Sequence, residues 1–183
     1  MDETLPPEPR DPRGRLLLAA IAALLVAVGI VSVGRDGHRL PAAGSDAPTV
    51  EIPLLDGGTL DLAALRGKVV VLDFWATWCA PCVESMPVVR KVGEELAGKG
   101  VVTVAVNGDD GDRREELVRH FLRRQKLEGL TVALDDGSAA RAFEVTALPT
   151  LVVIGRDGKV ATAHLGAVDE PLLRSLVTAT LGD

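Results

Sequence analysis

The chain has few of the residues from which disulfide frameworks and metal sites are built. Its 183 residues include two cysteines, three histidines, two tryptophans, three phenylalanines and no tyrosine. Two cysteines cannot form a framework of several disulfides or a zinc site with four cysteine ligands. His38, His120 and His164 have no ligand spacing with one another, so we predict no metal site. A basic surplus is also missing, since the net charge is −6, and this disfavours nucleic-acid binding.

The two cysteines stand close together in residues 78–82, which read WCAPC. Val83 follows Cys82, which excludes the C-x-x-C-H pattern of a c-type haem attachment site. The preceding residues 68–77 are mostly apolar and predict a buried strand that ends where the cysteines begin. The pattern therefore favours a dithiol/disulfide couple at a strand-to-helix junction over two incidental helix cysteines.

A long apolar run lies near the N-terminus. Residues 1–15 are rich in proline and charge, whereas residues 16–34 contain no charged side chain. At ~1.5 Å per residue, the run spans close to the ~30 Å hydrocarbon core of a bilayer. The alternative is a signal peptide cleaved after residues 32–34, but the apolar part of signal peptides is typically ~7–15 residues long. We predict a retained transmembrane anchor, or uncleaved signal, over residues 16–34.

The charges beside this run indicate its orientation. Three arginines precede the run and two follow it closely, so the positive-inside bias is small and points to a cytoplasmic N-terminus. Residues 1–15 are then a cytoplasmic tail. Residues 35–47 are a linker with little periodicity, and residues 48–183 form a domain on the extracytoplasmic side.

Apolar periodicity in residues 48–183 predicts an α/β fold. Alternating residues on both sides of a turn at 56–58 predict an N-terminal hairpin. Further strands are expected at 69–75, 101–106, 131–134, 150–154 and 159–164, and helices at 80–96, 113–125, 139–143 and from 169 onward. This order indicates a central mixed β-sheet with helices on both faces.

Two polar stretches of the domain have structural interpretations. Loop 107–112 suggests a calcium site, but Gly111 and Asp112 stand where an EF-hand requires a ligand and a glycine. Asp112 and Glu115 are predicted instead to form a capping box for the next helix. The arginines of that helix are predicted to lie on its solvated face rather than to bind phosphate. Pro87 predicts a kink in the helix at 80–96.

Residues 71–82, which read VLDFWATWCAPC, and residues 147–150, which read ALPT, resemble the thioredoxin superfamily. The anchor, the N-terminal hairpin and the inserted helix make the chain most similar to the membrane-tethered TlpA/ResA/DsbE-type branch. The resemblance covers residues 47–183. It implies a thioredoxin-like fold and thiol:disulfide exchange, with the Cys79–Cys82 pair as the redox-active disulfide and no other cofactor.

The two cysteines have different predicted roles. Cys79 is expected at the start of a helix, where the macrodipole and unpaired N–H groups favour a thiolate. Such positions lower a thiol pKa from ~8.5 toward ~7 or below. We predict that Cys79 attacks the substrate disulfide as the nucleophile. Cys82, one turn later and more buried, then resolves the mixed disulfide.

Residues around the cysteines are predicted to contact the substrate. The resemblance implies that Pro149 is cis, although only ~5 % of X-Pro bonds are. It also implies that Pro149 faces the dithiol and leaves the Leu148 backbone free to pair with a substrate strand. Trp78 is predicted to shield the dithiol and to offer an apolar docking face, while Trp75 is predicted to be core. The remaining predicted contacts are Ala80 and Pro81.

Asp73 is a single acid in an otherwise apolar strand. Because burying a carboxylate is costly, we expect a raised pKa. Its position matches the buried acid of thioredoxins, which exchanges a proton with the resolving cysteine; the alternative is a partly solvated residue at the strand end. The TlpA/ResA-type pattern often has glutamate where this chain has Ser85, and Glu84 is rotated ~100° around the helix. We therefore assign proton transfer to Asp73 and expect Glu84 to face solvent.

The resemblance implies a membrane-tethered thiol:disulfide oxidoreductase that acts on periplasmic protein thiols as a reductant, for instance on apocytochrome c cysteines. Its electrons would come from an upstream transmembrane thiol reductase. A general envelope thiol oxidant is the alternative within this class. A copper-binding chaperone is the alternative outside it, but copper-delivery relatives use a longer cysteine spacing and a downstream histidine ligand, and neither is evident here.

Overall fold

A computed structural model describes residues 40–182, so the predicted tail and the transmembrane anchor of residues 16–34 lie outside the described part. Strands Glu51–Pro53 (β1) and Thr59–Asp61 (β2) pair as an antiparallel hairpin. The main sheet contains Val69–Trp75 (β3), Val101–Asn107 (β4), Val132–Leu134 (β5), Thr150–Ile154 (β6) and Val160–Leu165 (β7). The α-helices are Ala80–Ala97 (α1), Arg114–Gln125 (α2), Ser138–Ala142 (α3) and Glu170–Leu181 (α4), and Ala63–Leu65 forms a short 3-10 helix. Within residues 40–182, no helix has the length and apolar character needed to cross a membrane.

The main sheet is mixed, as predicted. Its strand order is β5-β4-β3-β6-β7; β4 and β5 run parallel to β3, whereas β6 runs antiparallel to it. All residues of β3 are buried, because this central strand is covered on both faces. The register pairs Trp75 with Asn107 and Phe74 with Thr150. The ends of β3 and β4 and the start of β6 therefore meet at one end of the sheet.

Helices cover both faces of this sheet. Because side chains alternate along a strand, Val71 and Phe74 point to opposite faces. Val71 packs in one cluster with Val89 of α1 and Val177 of α4. Phe74 packs on the other face against Phe143, which directly follows α3, with ring centroids 5.9 Å apart. The β1–β2 hairpin contributes to this second cluster.

Short segments of the chain also cover part of each sheet edge. At the β5 edge, Leu55 N–H donates a hydrogen bond to the Val132 carbonyl at 2.8 Å. At the β7 edge, Gly44 N–H donates to the Val160 carbonyl, and Val160 N–H donates to the Ser45 carbonyl, both at 2.8 Å. The second segment, which the sequence places in the linker, is thus bonded to the domain.

The capping box predicted for α2 is wrong. Asp112 and Glu115 do not form it, because α2 begins at Arg114 and its N-cap residue Arg113 makes no side-chain capping bond. A backbone turn leads into the helix instead, with Arg114 N–H donating to the Gly111 carbonyl at 3.2 Å. One of the first N–H groups of the helix is therefore satisfied by the main chain.

The start of α4 is as predicted. Asp169 Oδ1 accepts a hydrogen bond from Leu172 N–H at 2.9 Å, and Pro171 occupies the first turn. Proline is tolerated there because the first N–H groups of a helix have no helical acceptor. Pro87 lies inside α1, and the kink expected at this residue stays a prediction.

Candidate active site

A tight turn connects β3 to α1 and presents one aromatic side chain to solvent. Cys79 N–H donates to the Ala76 carbonyl at 3.1 Å, which closes a four-residue turn with Thr77 and Trp78 at its centre. Trp78 is 72 % exposed, whereas Trp75, just before the turn, is fully buried, as predicted. The turn therefore places an apolar surface directly beside the first cysteine.

Cys79 and Cys82 form a disulfide across the first turn of α1. Cys79 is the N-cap residue, and its Sγ accepts a hydrogen bond from Cys82 N–H at 3.3 Å. In the reduced state this position gives the Cys79 sulfur a backbone donor and the positive end of the helix dipole, and both favour a thiolate. Cys79 is 5 % exposed and Cys82 is fully buried. Cys79 is therefore the more accessible of the two cysteines.

The first two turns of α1 divide into an exposed and a buried side. Ala80 and Pro81, between the cysteines, are exposed, and so is Glu84, as expected. Ser85 is buried, and its hydroxyl donates to the Cys82 carbonyl at 3.1 Å. The side chain of Ser85 is thus bonded to the main chain of its own helix.

Asp73 lies inside β3 and is 2 % exposed, which excludes the alternative of a partly solvated residue. It shares a strand face with Val71 and Trp75, and Trp75 packs with Cys82 and Met86 of α1. Asp73 therefore lies on the α1 side of the sheet. Burial raises the pKa of Asp73 from 3.8 to about 7, and within the described residues its Oδ2 has no hydrogen-bond partner. Such a carboxyl group can accept or release a proton near neutral pH.

The buried carboxyl of Asp73 predicts a pH-dependent stability. Because its folded-state pKa lies above the unfolded value, stability is lost as the pH rises from about 4 through about 7. Asp73→Asn cannot ionise and should lack this loss. Between about pH 4 and about pH 8, we expect the unfolding free energy of the variant to rise by roughly 4 kcal/mol relative to wild type. Denaturant titrations at both pH values measure this difference; a constant difference would contradict ionisation of Asp73 within the fold.

The Leu148–Pro149 peptide bond is cis, as the resemblance implies. Pro149 is buried at the start of β6, and its carbonyl accepts a hydrogen bond from Gly166 N–H at 2.9 Å. The Thr150 hydroxyl donates to the Ala147 carbonyl at 2.7 Å. Leu148 packs against the buried cluster that contains both cysteines. The structure therefore brings Leu148, from a segment remote in sequence, to the cluster that contains the dithiol.

A groove of about 650 Å³ lies beside the turn. Trp78 and Leu148 line it, together with the apolar side chains of Phe74 and Val106. Charged side chains line it as well, namely Asp109, Asp110, Arg114, Asp135 and Asp136. The exposed face of Trp78 therefore borders a groove with both apolar and acidic walls.

The histidines are not gathered around the cysteines. His120 is exposed on α2, His164 is half-buried on β7, and His38 lies outside the described residues. Across residues 40–182, no group of three or more His, Cys, Asp or Glu side chains is arranged to hold a metal ion. The two sulfurs are bonded to each other.

Sequence reasoning missed a polar cluster beside the turn. Asp109 is 4 % exposed, and its carboxylate accepts hydrogen bonds from Thr77 and from the Asn107 side chain. In the sequence, this loop resembles a calcium-binding pattern that fails. The signal that was available is an acid placed shortly after a predicted strand, at the end of the sheet where the cysteines begin.

Comparison with known proteins agrees with this geometry. The Redoxin family model matches residues 42–179, which include both cysteines, Asp73 and Pro149. A thiol-disulfide oxidoreductase ResA of Bacillus cereus is 36 % identical over 124 residues, which cover 67 % of this chain and 69 % of the relative. ResA of Bacillus subtilis (strain 168) is 30 % identical over 161 residues, with coverages of 88 % and 87 %.

A solved structure is also similar. It is the crystal structure of a Chlorobium tepidum protein described as a thiol:disulfide interchange protein DsbE. The match has a TM-score of 0.70 at 35 % identity and covers 78 % of this chain and 99 % of that chain. The chain therefore belongs to the Redoxin family, among the ResA- and DsbE-like thiol–disulfide oxidoreductases of the thioredoxin superfamily.

Proposed function

We propose that the chain is a membrane-tethered thiol:disulfide oxidoreductase whose Cys79–Cys82 pair reduces disulfides of extracytoplasmic proteins. The observation that carries the proposal is the buried carboxyl of Asp73 on the α1 side of the sheet. A dithiol that reduces a substrate has to ionise twice, first at Cys79 and then at Cys82. A buried base with a pKa of about 7 assists the second ionisation, at the sulfur that solvent does not reach.

The exchange begins when the Cys79 thiolate attacks one sulfur of the substrate disulfide. The other substrate sulfur leaves as a thiolate and takes a proton from solvent, so that a mixed disulfide joins Cys79 to the substrate. The Asp73 carboxylate then accepts the proton of the Cys82 thiol, and the Cys82 thiolate attacks Cys79 Sγ. The Cys79–Cys82 disulfide forms, the second substrate sulfur leaves and is protonated, and two electrons have passed to the substrate.

Substrates dock around the turn in this proposal. The exposed face of Trp78 and the groove lined by Leu148 accept the polypeptide that carries the disulfide. Ala80 and Pro81 are exposed between the cysteines and contact the same segment. Pro149 sets the path of the chain that carries Leu148, and the Leu148 backbone pairs with the substrate strand.

Membrane tethering and electron supply complete the proposal. The uncharged residues 16–34 support a single-pass anchor, with the folded domain on the extracytoplasmic side. Once oxidised, the dithiol requires a donor, and a transmembrane thiol reductase in the same membrane would supply its electrons. Apocytochrome c cysteines are the substrates that the ResA- and DsbE-like resemblance suggests.

A redox titration of the purified full-length protein tests the direction of electron flow. A dithiol that donates electrons must have a lower potential than the disulfide it reduces. We therefore expect equilibration with a dithiothreitol buffer to give a potential near the thioredoxin value of about −270 mV. A potential near the DsbA value of about −120 mV would contradict the role of the protein as a reductant and favour that of a general envelope oxidant.

A further inference from the structure

We propose that Asp109 is a positioning residue for the dithiol, which holds Thr77 and thereby fixes the turn that carries Trp78 and Cys79. Asp109 acts through Thr77 and not on the reacting sulfurs. The inference rests on disulfide exchange at Cys79, as in the proposed function, but not on the direction of electron flow.

The Asp109 carboxylate binds both the main chain and the side chain of one residue. Its Oδ2 accepts a hydrogen bond from Thr77 N–H at 2.9 Å, and its Oδ1 accepts one from the Thr77 hydroxyl at 3.0 Å. Two bonds from one carboxylate fix the orientation of Thr77 as well as its position, and bonds to a charged acceptor are stronger than neutral ones. The contact joins the loop after β4 to the turn after β3.

Asp109 is itself fixed to the end of β4. Asn107 Nδ2 donates to Asp109 Oδ2 at 2.7 Å, and Asn107 Oδ1 accepts a hydrogen bond from Asp109 N–H at 3.2 Å. Asn107 is fully buried. Between the two residues, Gly108 N–H donates to the Trp75 carbonyl at 2.9 Å. The Asp109 carboxylate is therefore held rigidly at the end of the sheet. A residue that positions another residue must itself be fixed in this way.

The turn depends on this contact for its orientation. Thr77 and Trp78 are its two central residues, and Cys79 N–H closes it on the Ala76 carbonyl. Trp78 is 72 % exposed, so burial of its side chain does little to hold the turn. We expect release of Thr77 to let the turn move, which misplaces Trp78 and Cys79 relative to a docked disulfide. Attack then slows, because its rate depends on alignment of the reacting atoms.

Three variants of the full-length protein test the proposal. Thr77→Val removes the hydroxyl donor at nearly constant size, Thr77→Ser keeps it, and Asp109→Asn removes the charge and one acceptor. The measurement is the rate at which each reduced protein attacks insulin disulfides in stopped-flow experiments, well below the unfolding midpoint. We expect Thr77→Val to be about 3- to 10-fold slower than wild type, Asp109→Asn slower still, and Thr77→Ser close to wild type.

A matched control separates positioning from stability. Asp169 is another aspartate that holds a backbone N–H, since its Oδ1 accepts a hydrogen bond from Leu172 N–H at 2.9 Å at the N-cap of α4. We expect Asp169→Ala to lower the unfolding midpoint, because it removes this cap, without slowing attack on insulin. The steady-state fluorescence anisotropy of tryptophan should fall in Thr77→Val but not in Asp169→Ala, because the freed turn carries Trp78.

Each outcome of these measurements decides the proposal. Slow attack by Thr77→Val that Thr77→Ser restores, with Asp169→Ala unaffected, supports the positioning role. If Thr77→Val and Asp109→Asn attack insulin at the wild-type rate, the positioning role is overturned. The proposed function is not, because the wild-type protein still exchanges disulfides in that case. A wild-type protein that does not react with insulin or with oxidised glutathione overturns both this inference and the proposed function.

Discussion

Replacement of Cys82 with serine is expected to convert the protein into a trap for its substrates. Cys79 keeps its N-cap position and still attacks a substrate disulfide, but serine cannot displace the substrate sulfur, so the mixed disulfide persists. We expect turnover to fall to the uncatalysed rate while covalent adducts accumulate. Non-reducing electrophoresis of the membrane fraction, followed by mass spectrometry, measures the adducts and identifies the proteins in them.

Cys79→Ser is the control for this experiment. It should lose turnover equally but form no adducts, because the remaining thiol, Cys82, is fully buried in the oxidised structure whereas Cys79 is the more accessible sulfur. Equal amounts of adduct with the two variants would contradict the assignment of Cys79 as the nucleophile. Adducts made with Cys82→Ser that contain only cytoplasmic proteins would contradict the proposed location of the domain.

The second large effect is expected on the resolution of the mixed disulfide when asparagine replaces Asp73, the buried base. Asp73→Asn should slow the resolution of a preformed mixed disulfide by about 100-fold or more, because general acid–base groups typically contribute about 10²- to 10⁴-fold. In wild type the resolution rate should rise as the pH increases through about 7, where the Asp73 carboxylate forms, and then level off. In the variant this rise should be absent. Single-turnover stopped-flow measurements across this pH range provide the profile.

Glu84→Gln is the matched control for the Asp73 variant. Glu84 is a carboxylate on the dithiol helix, but it is exposed, so the variant should keep the wild-type profile. If the resolution rate of Glu84→Gln no longer rises with pH, or if that of Asp73→Asn still does, proton transfer belongs to a different group. This measurement is independent of the stability prediction, because rates can be compared at a temperature where all variants are folded.

The main elements of the fold could be predicted because they are encoded locally. The run of apolar residues in β3 marks the central strand, and Asp169 with Pro171 marks the start of α4. The capping box predicted at Asp112 and Glu115 is wrong because a four-residue pattern does not show that the helix begins only at Arg114, after a backbone turn. Local pattern alone cannot distinguish these two ways of beginning a helix.

The two buried acids of the site differ in how visible they are in the sequence. Asp73 is conspicuous because it interrupts an apolar strand, where a charge is costly. Asp109 stands in a loop with other acids, and its importance comes from a contact with Thr77, 32 positions away in the chain. That contact exists only because the register of the sheet sets the end of β4 beside the end of β3. It could not be predicted without the tertiary structure.

The partly covered edges of the main sheet bear on whether the domain can add strands from other chains. An open edge strand offers unpaired N–H and C=O groups to which any extended polypeptide can add. Here the chain's own segments occupy part of both edges, through Leu55 at β5 and through Gly44 and Ser45 at β7. Fewer backbone groups are thus open along these edges to strand addition by another polypeptide, which lowers the tendency of the sheet to aggregate edge to edge.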